Sequence, residues 1–193
     1  LTKAGVNYFA GTLSDRFGRK PVLLAGWLFA LLVPLLLIWA PSWGWVIVAN
    51  VLLGVNQGLA WSTTVIMKID LVGPHRRGTA MGFNEAAGYG AVALAAWVTG
   101  AIAEASGLRP GPFLLGLAFA AVGLGLSAVF VRETAGHVEH ERANHGDAGH
   151  GADLTPRQVF ALATWRDRNL SVASQAGLVN NLNEGMAWGL FPV

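Results

Sequence analysis

The sequence contains no cysteine and little charge. Without cysteine, disulfide bonds, thiolate metal sites and cysteine nucleophiles are excluded. Charged residues make up only 12% of the chain, hydrophobic residues make up 53%, and the mean hydropathy is +0.48. Soluble domains usually carry about 25% charged residues. This composition therefore indicates a protein embedded in a lipid bilayer.

Motifs for catalysis, for phosphate or metal binding and for nucleic-acid binding are also missing. The sequence has no phosphate-cradling loop, no zinc motif and no nucleophile and base at an interpretable spacing. We therefore predict no enzyme, no cofactor and no metal site. The net charge is only +2, and the charged residues lie in a few short loops. This pattern gives no indication of nucleic-acid binding.

Four segments are long and apolar enough to cross the hydrocarbon core, which takes about 20 helical residues. Residues 1–13 are too short to cross and are predicted to be the end of a truncated helix. Residues 169–193 are predicted to begin a further span. Because the chain does not start with methionine, we expect an internal fragment without a signal peptide. The predicted complete spans are 21–40, 44–67, 79–103 and 112–131.

Basic residues are distributed unequally between the two sides of these spans. The loops on one side hold eleven, whereas the opposite loops hold only Arg109 and Lys3 lies in the partial helix. Basic loops remain in the cytoplasm, so we expect this side to be cytoplasmic and the membrane to be the plasma (inner) membrane. Trp39, Trp43 and Trp45 are expected at the outer interface. The eleven residues are Arg16, Arg19, Lys20, Lys68, Arg76, Arg77, Arg132, Arg142, Arg157, Arg166 and Arg168.

A charged, glycine-punctuated stretch lies between the partial helix and the first complete span. We call residues 11–20, which read G-T-L-S-D-R-F-G-R-K, the signature loop. It resembles the G-x-L-x-D-R-x-G-R-K loop between the second and third helices of the major facilitator superfamily of secondary transporters. The matching residues are Gly11, Leu13, Asp15, Arg16, Gly18, Arg19 and Lys20.

This resemblance covers nearly the whole chain and implies an all-α, polytopic membrane helix bundle. Residues 1–131 would form most of the N-terminal six-helix half, from the end of helix two to helix six. Residues 132–168 would form the cytoplasmic linker between the halves, and 169–193 the start of helix seven. Residues 137–153 are too poor in large apolar residues to fold and are predicted to be mobile. Residues 156–168 are predicted to be a short amphipathic helix on the membrane surface, or simply a connector.

The resemblance implies that the complete protein moves a small solute by alternating access, with a coupling ion as an optional second partner. Its partners would be the solute, the bilayer and the remainder of its own chain. A transporter-fold receptor without flux is the alternative function. An intramembrane enzyme built from Glu85 and His75 has no supporting motif.

Within the signature loop, Gly11 and Gly18 leave room for close packing or a tight turn. Asp15 and Arg19 are four residues apart, so they can pair if the segment is helical. By resemblance, Asp15 would contact the other half of the transporter as a latch in the outward-open state. Arg16, Arg19 and Lys20 would bind at the cytoplasmic interface. The simpler alternative is that these charges only set the topology.

Polar residues recur along the second complete span. At 100° per residue they fall on one stripe, which would line a solute path or form interhelical hydrogen bonds. A family pattern, R-x-x-Q-G, places arginine at position 54, where this chain has Gly54, so proton coupling of the type associated with that arginine is not expected. The stripe contains Asn50, Gln57, Trp61, Thr64 and Lys68.

Acidic residues inside spans are candidate functional residues, because burying them in lipid is unfavourable. Glu85 lies about two turns into its span with Tyr89 one turn on, and it would titrate, pair with a cation or contact solute. Glu184 belongs to an arc that we predict to be the binding face of the last helix. That arc consists of Gly177, Asn180, Asn181, Glu184 and Trp188.

Four histidines lie in the predicted linker. Their spacing is loose and the segment is rich in glycine, unlike the framed turns of structural zinc sites, so we predict a solvated tract. These residues are His137, His140, His145 and His150.

Overall fold

The computed structural model describes residues 1–72, 76–134, 136 and 155–190, and this part of the chain is helical with no β-strand. The fold class predicted from the sequence is confirmed. The chain divides into two units, Leu1–Asn144 and His145–Val193. The α-helices are α1 (Thr2–Phe17), α2 (Arg19–Ile38), α3 (Trp43–Asn56), α4 (Ser62–Val72), α5 (Arg77–Ser106), α6 (Gly111–Phe130), α7 (Pro156–Ala161) and α8 (Arg168–Leu190).

Four helical segments within the described residues are long and apolar enough to cross a membrane. They overlap the four predicted spans, so the prediction of four helices of this length and composition is confirmed. Helix α8 is not among them, because asparagine, glutamine and glutamate interrupt its apolar residues; its assignment as a span stays a prediction. The four segments are Arg19–Ile38, Trp43–Val72, Arg77–Ser106 and Gly111–Phe130.

Helix α2 packs against α1, α3 and α6 in the first unit. Its contact surface contains Leu23, which clusters with Ala60 and Met67. A Cβ on Gly26 would lie 2.9 Å from the backbone nitrogen of Ala60, and one on Gly123 would lie 2.5 Å from the Trp27 ring. Helices approach closely in membranes where small residues meet, since lipid gives no hydrophobic drive for their association.

Large apolar side chains cover the outside of this unit. Leu94, Trp97 and Val129 are exposed, and the apolar stretch of α5 contains no buried residue. A soluble domain of this size would bury such side chains. The arrangement suits a bundle whose outer surface contacts lipid or further helices.

A π-helical turn, Gln57–Trp61, joins α3 to α4. Such a turn contains about one residue more than an α-helical turn, which shifts the following side chains by about 100° around the axis. The predicted polar stripe assumed a regular α-helix. It therefore does not continue on one face from Asn50 to Lys68, and this part of the interpretation is corrected.

The second unit begins with a capping box. The Thr155 hydroxyl accepts from the backbone of Gln158, whose side chain accepts from the backbone of Thr155 at 2.7 Å. A π-helical turn, Leu162–Arg166, then leads into α8. Helix formation between 156 and 168 agrees with the prediction, whereas its position on a membrane surface stays a prediction. The predicted mobile linker, 137–153, and its four histidines lie outside the described residues.

Candidate functional site

Gly18 forms the turn between α1 and α2. Its φ of 90° and ψ of 157° lie in a region that is essentially restricted to glycine. A Cβ at this position would also lie 2.7 Å from Oε2 of Glu133. The tight turn predicted at Gly18 is therefore present, and the segment after α6 lies against it.

The carboxylate of Glu133 caps the N-terminus of α2. Its two oxygens accept from the backbone N–H groups of Arg19 and Lys20, each at 2.9 Å. The first N–H groups of a helix have no partner within the helix, and the positive end of the helix dipole favours an anion there. The Lys20 ammonium donates to the Ala128 carbonyl at 2.8 Å, which adds a second link between α2 and the end of α6.

The guanidinium of Arg19 joins two carboxylates from different helices. Nη1 lies 2.7 Å from Oδ1 of Asp15, which confirms the predicted pair, and Nε lies 3.3 Å from Oδ2 of Asp70. The Thr134 hydroxyl donates to the same Asp70 oxygen at 3.0 Å. We call Asp15, Arg19, Asp70, Glu133 and Thr134 the loop network. It connects α1, α2, α4 and the segment after α6.

Exposure differs sharply within this network. The side chains of Arg19 and Asp70 are each 11% exposed, whereas that of Asp15 is 70% exposed. Asp70 could not be identified from the sequence, because it follows an apolar span without a motif. The role of Glu133 could not be predicted either, because its partner lies 114 residues away in the chain.

Arg16 and Gly11 of the signature loop take no part in the loop network. Arg16 lies over the Phe17 ring at 5.3 Å from its centroid, in a cation–π contact. A Cβ on Gly11 would meet nothing within 4 Å in the described residues. A groove of about 560 Å³ runs along α1 beside Phe9, Leu13 and Arg16.

Two glycines of the α3 and α4 region pack against α1. A Cβ on Gly54 would lie 2.9 Å from Cβ of Thr2 and 3.1 Å from the backbone nitrogen of Lys3, and a Cβ on Gly58 would lie 2.6 Å from Cβ of Val6. A side chain at position 54 would require α1 to shift. Glycine at this position of the R-x-x-Q-G pattern therefore permits the close approach of α1.

Two residues of the predicted stripe bond within their own helical segment. Asn50 donates to the Val46 carbonyl and Thr64 to the Ala60 carbonyl, both one turn earlier in their own helical segment. Gln57 is exposed. These contacts provide no interhelical bond, so the first part of the stripe remains available to contact solute.

Helices α4 and α5 are joined by polar and aromatic contacts. Lys68 donates through Nζ to Oδ1 of Asn84, and Nδ2 of Asn84 donates to Oε1 of Glu85 at 3.3 Å. Further along, a Cβ on Gly88 would lie 2.9 Å from the Trp61 ring. The structure thus places Asn84 and Gly88 of α5 against Lys68 and Trp61 at one interhelical seam, with the exposed Glu85 at its edge. Tyr89 is exposed one turn beyond Glu85.

The predicted binding face of α8 is only partly visible. Asn181 donates to the Gly177 carbonyl at 2.8 Å within the helix. The backbones of Asn180, Glu184 and Trp188 are helical, and their side chains lie outside the described part of the structure. Their shared face stays a prediction.

The family model of the Major Facilitator Superfamily matches residues 1–191. The chain belongs to the Major Facilitator Superfamily. No curated protein and no solved structure matches it. The resemblance drawn from the signature loop is confirmed, and this superfamily member is a membrane-embedded, multi-pass protein with a transporter fold. Within that fold, the loop network lies at the end of the bundle where α1 ends and α2 begins.

Proposed function

We propose that the complete carrier moves a small solute across the plasma (inner) membrane by alternating access, with the signature loop on the cytoplasmic side. The loop network supports this proposal most directly. Arg19 is held by a nearly buried carboxylate from Asp70 and, at the same time, by an exposed carboxylate from Asp15. One side of the guanidinium is fixed, and the other pairs with a group that can exchange partners.

Such an arrangement suits a latch. Asp15 lies in the last turns of α1, where solvent competes for its oxygens and an exposed ion pair contributes at most about 1 kcal/mol. A contact this weak can form in one state of the carrier and break in the other. Asp70, Glu133 and Thr134 keep the loop in place while Asp15 changes partner.

The candidate solute path of this proposal is a set of polar and aromatic residues. On the first unit it includes Asn50, Gln57, Trp61, Glu85 and Tyr89. Glu184 would contact solute or a coupling ion, since an acid in a span is functional by default. On α8 the path includes Asn180, Asn181, Glu184 and Trp188.

The latch is tested by Asp15→Asn in the complete carrier, reconstituted into vesicles. We expect flux to fall about fivefold, equivalent to about 1 kcal/mol, while solute affinity stays close to wild type. Glu104→Gln is the matched control. It neutralises an exposed acid in the last turn of α5, outside the loop network, and should transport normally. Unchanged flux in Asp15→Asn at normal expression would remove the latch role. Solute binding by the wild type without any flux would indicate a receptor instead.

A further inference from the structure

The seam between α4 and α5 contains a cation and an acid that are separated by a neutral amide. Lys68 is half-buried in α4, Asn84 is 6% exposed in α5, and Glu85 follows it in the same helix. The amide of Asn84 accepts from Lys68 and donates to Glu85. No carboxylate of the described residues lies within ion-pair distance of Lys68.

The direction of the Lys68 side chain matters, because lysines near a helix end usually extend toward water. Lys68 is four residues from the end of α4, whereas Asn84 is seven residues, or about 10 Å, from the start of α5. Helix α4 ends at Val72, and α5 begins at Arg77. The ammonium therefore reaches a group deeper in the bundle than its own backbone, in the direction in which helical side chains tilt.

The orientation of the Asn84 amide is fixed by its partners. An ammonium can only donate and a carboxylate can only accept, so the amide oxygen must face Lys68 and the amide nitrogen must face Glu85. The amide holds the two charges apart. Among the described residues, two donors of Lys68 and the second carboxylate oxygen of Glu85 have no partner.

Charged groups within a membrane span are unfavourable unless they are paired or face water or protein. A directly bonded Lys–Glu pair would satisfy both groups with a shorter contact. The split arrangement leaves each charge able to accept one further group of opposite sign. The charges of Lys68 and Glu85 sum to zero. A ligand that carries one positive and one negative charge therefore leaves the seam neutral.

We propose that Lys68 and Glu85 form a subsite for a zwitterionic solute. Lys68 binds the anionic oxygens of the solute, Glu85 binds its ammonium group, and Asn84 is a positioning residue that keeps the two charges apart. The Trp61 ring, packed at Gly88 on the same seam, supplies an apolar wall for the remainder of the solute. This inference rests on the proposed transport function and names its solute class.

The decisive variant is Asn84→Asp in the complete carrier. It places a carboxylate against Lys68, where it pairs with the ammonium and competes with the anionic part of the solute. If the bond from Lys68 to residue 84 is purely structural, this change would keep or strengthen it, whereas the bond from residue 84 to Glu85 is lost because a carboxylate cannot donate. The subsite instead requires that binding of the zwitterion weaken about tenfold or more while the unfolding temperature is maintained. Lys68→Gln and Glu85→Gln should each weaken binding of the same zwitterion.

The probes are phenylalanine, 3-phenylpropionate and 2-phenylethylamine, which share a ring and differ in charge. We expect phenylalanine to bind the wild-type carrier better than either singly charged analogue, measured as ligand-induced thermal stabilisation and by direct binding. Equal or weaker binding of phenylalanine, or undiminished binding by Asn84→Asp, overturns the inference. Transport of a neutral or singly charged solute that is insensitive to Asn84→Asp would leave the proposed function intact and reject only the subsite. Zwitterion binding without flux would support the subsite and reject the proposed transport function.

Discussion

At the residue scale, the two glycines of the signature loop meet different physical demands. Gly18 has a backbone conformation that residues with a side chain rarely adopt, and the carboxylate of Glu133 fills the space that a Cβ would need. Gly11 lies within α1, and a Cβ there would meet no described atom within 4 Å. The motif presents them as equivalent, whereas in this structure only Gly18 is required by local geometry.

We therefore expect Gly18→Ala to lower the free energy of unfolding by about 1–3 kcal/mol, because the methyl group strains the backbone and displaces the cap of α2. Gly11→Ala is the matched control. It should be neutral or should stabilise α1 by up to about 1 kcal/mol through helix propensity. Denaturant unfolding of both variants in detergent measures the difference. A Gly18→Ala protein as stable as the wild type would show that the turn adopts another conformation.

At the scale of elements, the spans could be predicted because hydropathy and helix length are local properties. The bounds of α2 and α6 differ from prediction by only a few residues. The π-helical turn at Gln57–Trp61 could not be predicted in this way. It coincides with the close approach of Gly58 to Val6 of α1, a contact between residues far apart in the chain.

That approach predicts a specific sensitivity to a single methyl group. Gly58→Ala should lower the free energy of unfolding by about 1–3 kcal/mol, because a Cβ would lie 2.6 Å from Cβ of Val6 and the helices must separate. Gly54→Ala, with its nearest contact at 2.9 Å, should have a smaller effect. Gly100→Ala in α5 meets no described atom within 4 Å and is the control. Equal stability of Gly58→Ala and Gly100→Ala would contradict close packing of α1.

At the scale of the whole molecule, the loop network connects parts of the first unit that are distant in sequence. Its motif residues could be predicted from the signature loop, and the Asp15–Arg19 pair followed from their spacing. Asp70 and Glu133 could not be placed, since their partners are set by how α4 and the end of α6 pack beside α2. The candidate solute path was predicted only as a set of polar positions for the same reason.

The network also predicts that stability and cycling depend on different aspartates, although both pair with Arg19. Asp70→Asn should lower the free energy of unfolding by about 1–3 kcal/mol, because it removes a charged partner from a guanidinium that is only 11% exposed. Asp15→Asn should lower it by less than about 1 kcal/mol, because that carboxylate is 70% exposed and solvent already weakens the pair. Parallel unfolding measurements on the two isosteric variants in one detergent give the comparison. If Asp15→Asn were the more destabilising change, Asp15 would be a structural anchor of the loop, and it could not exchange partners as a latch must.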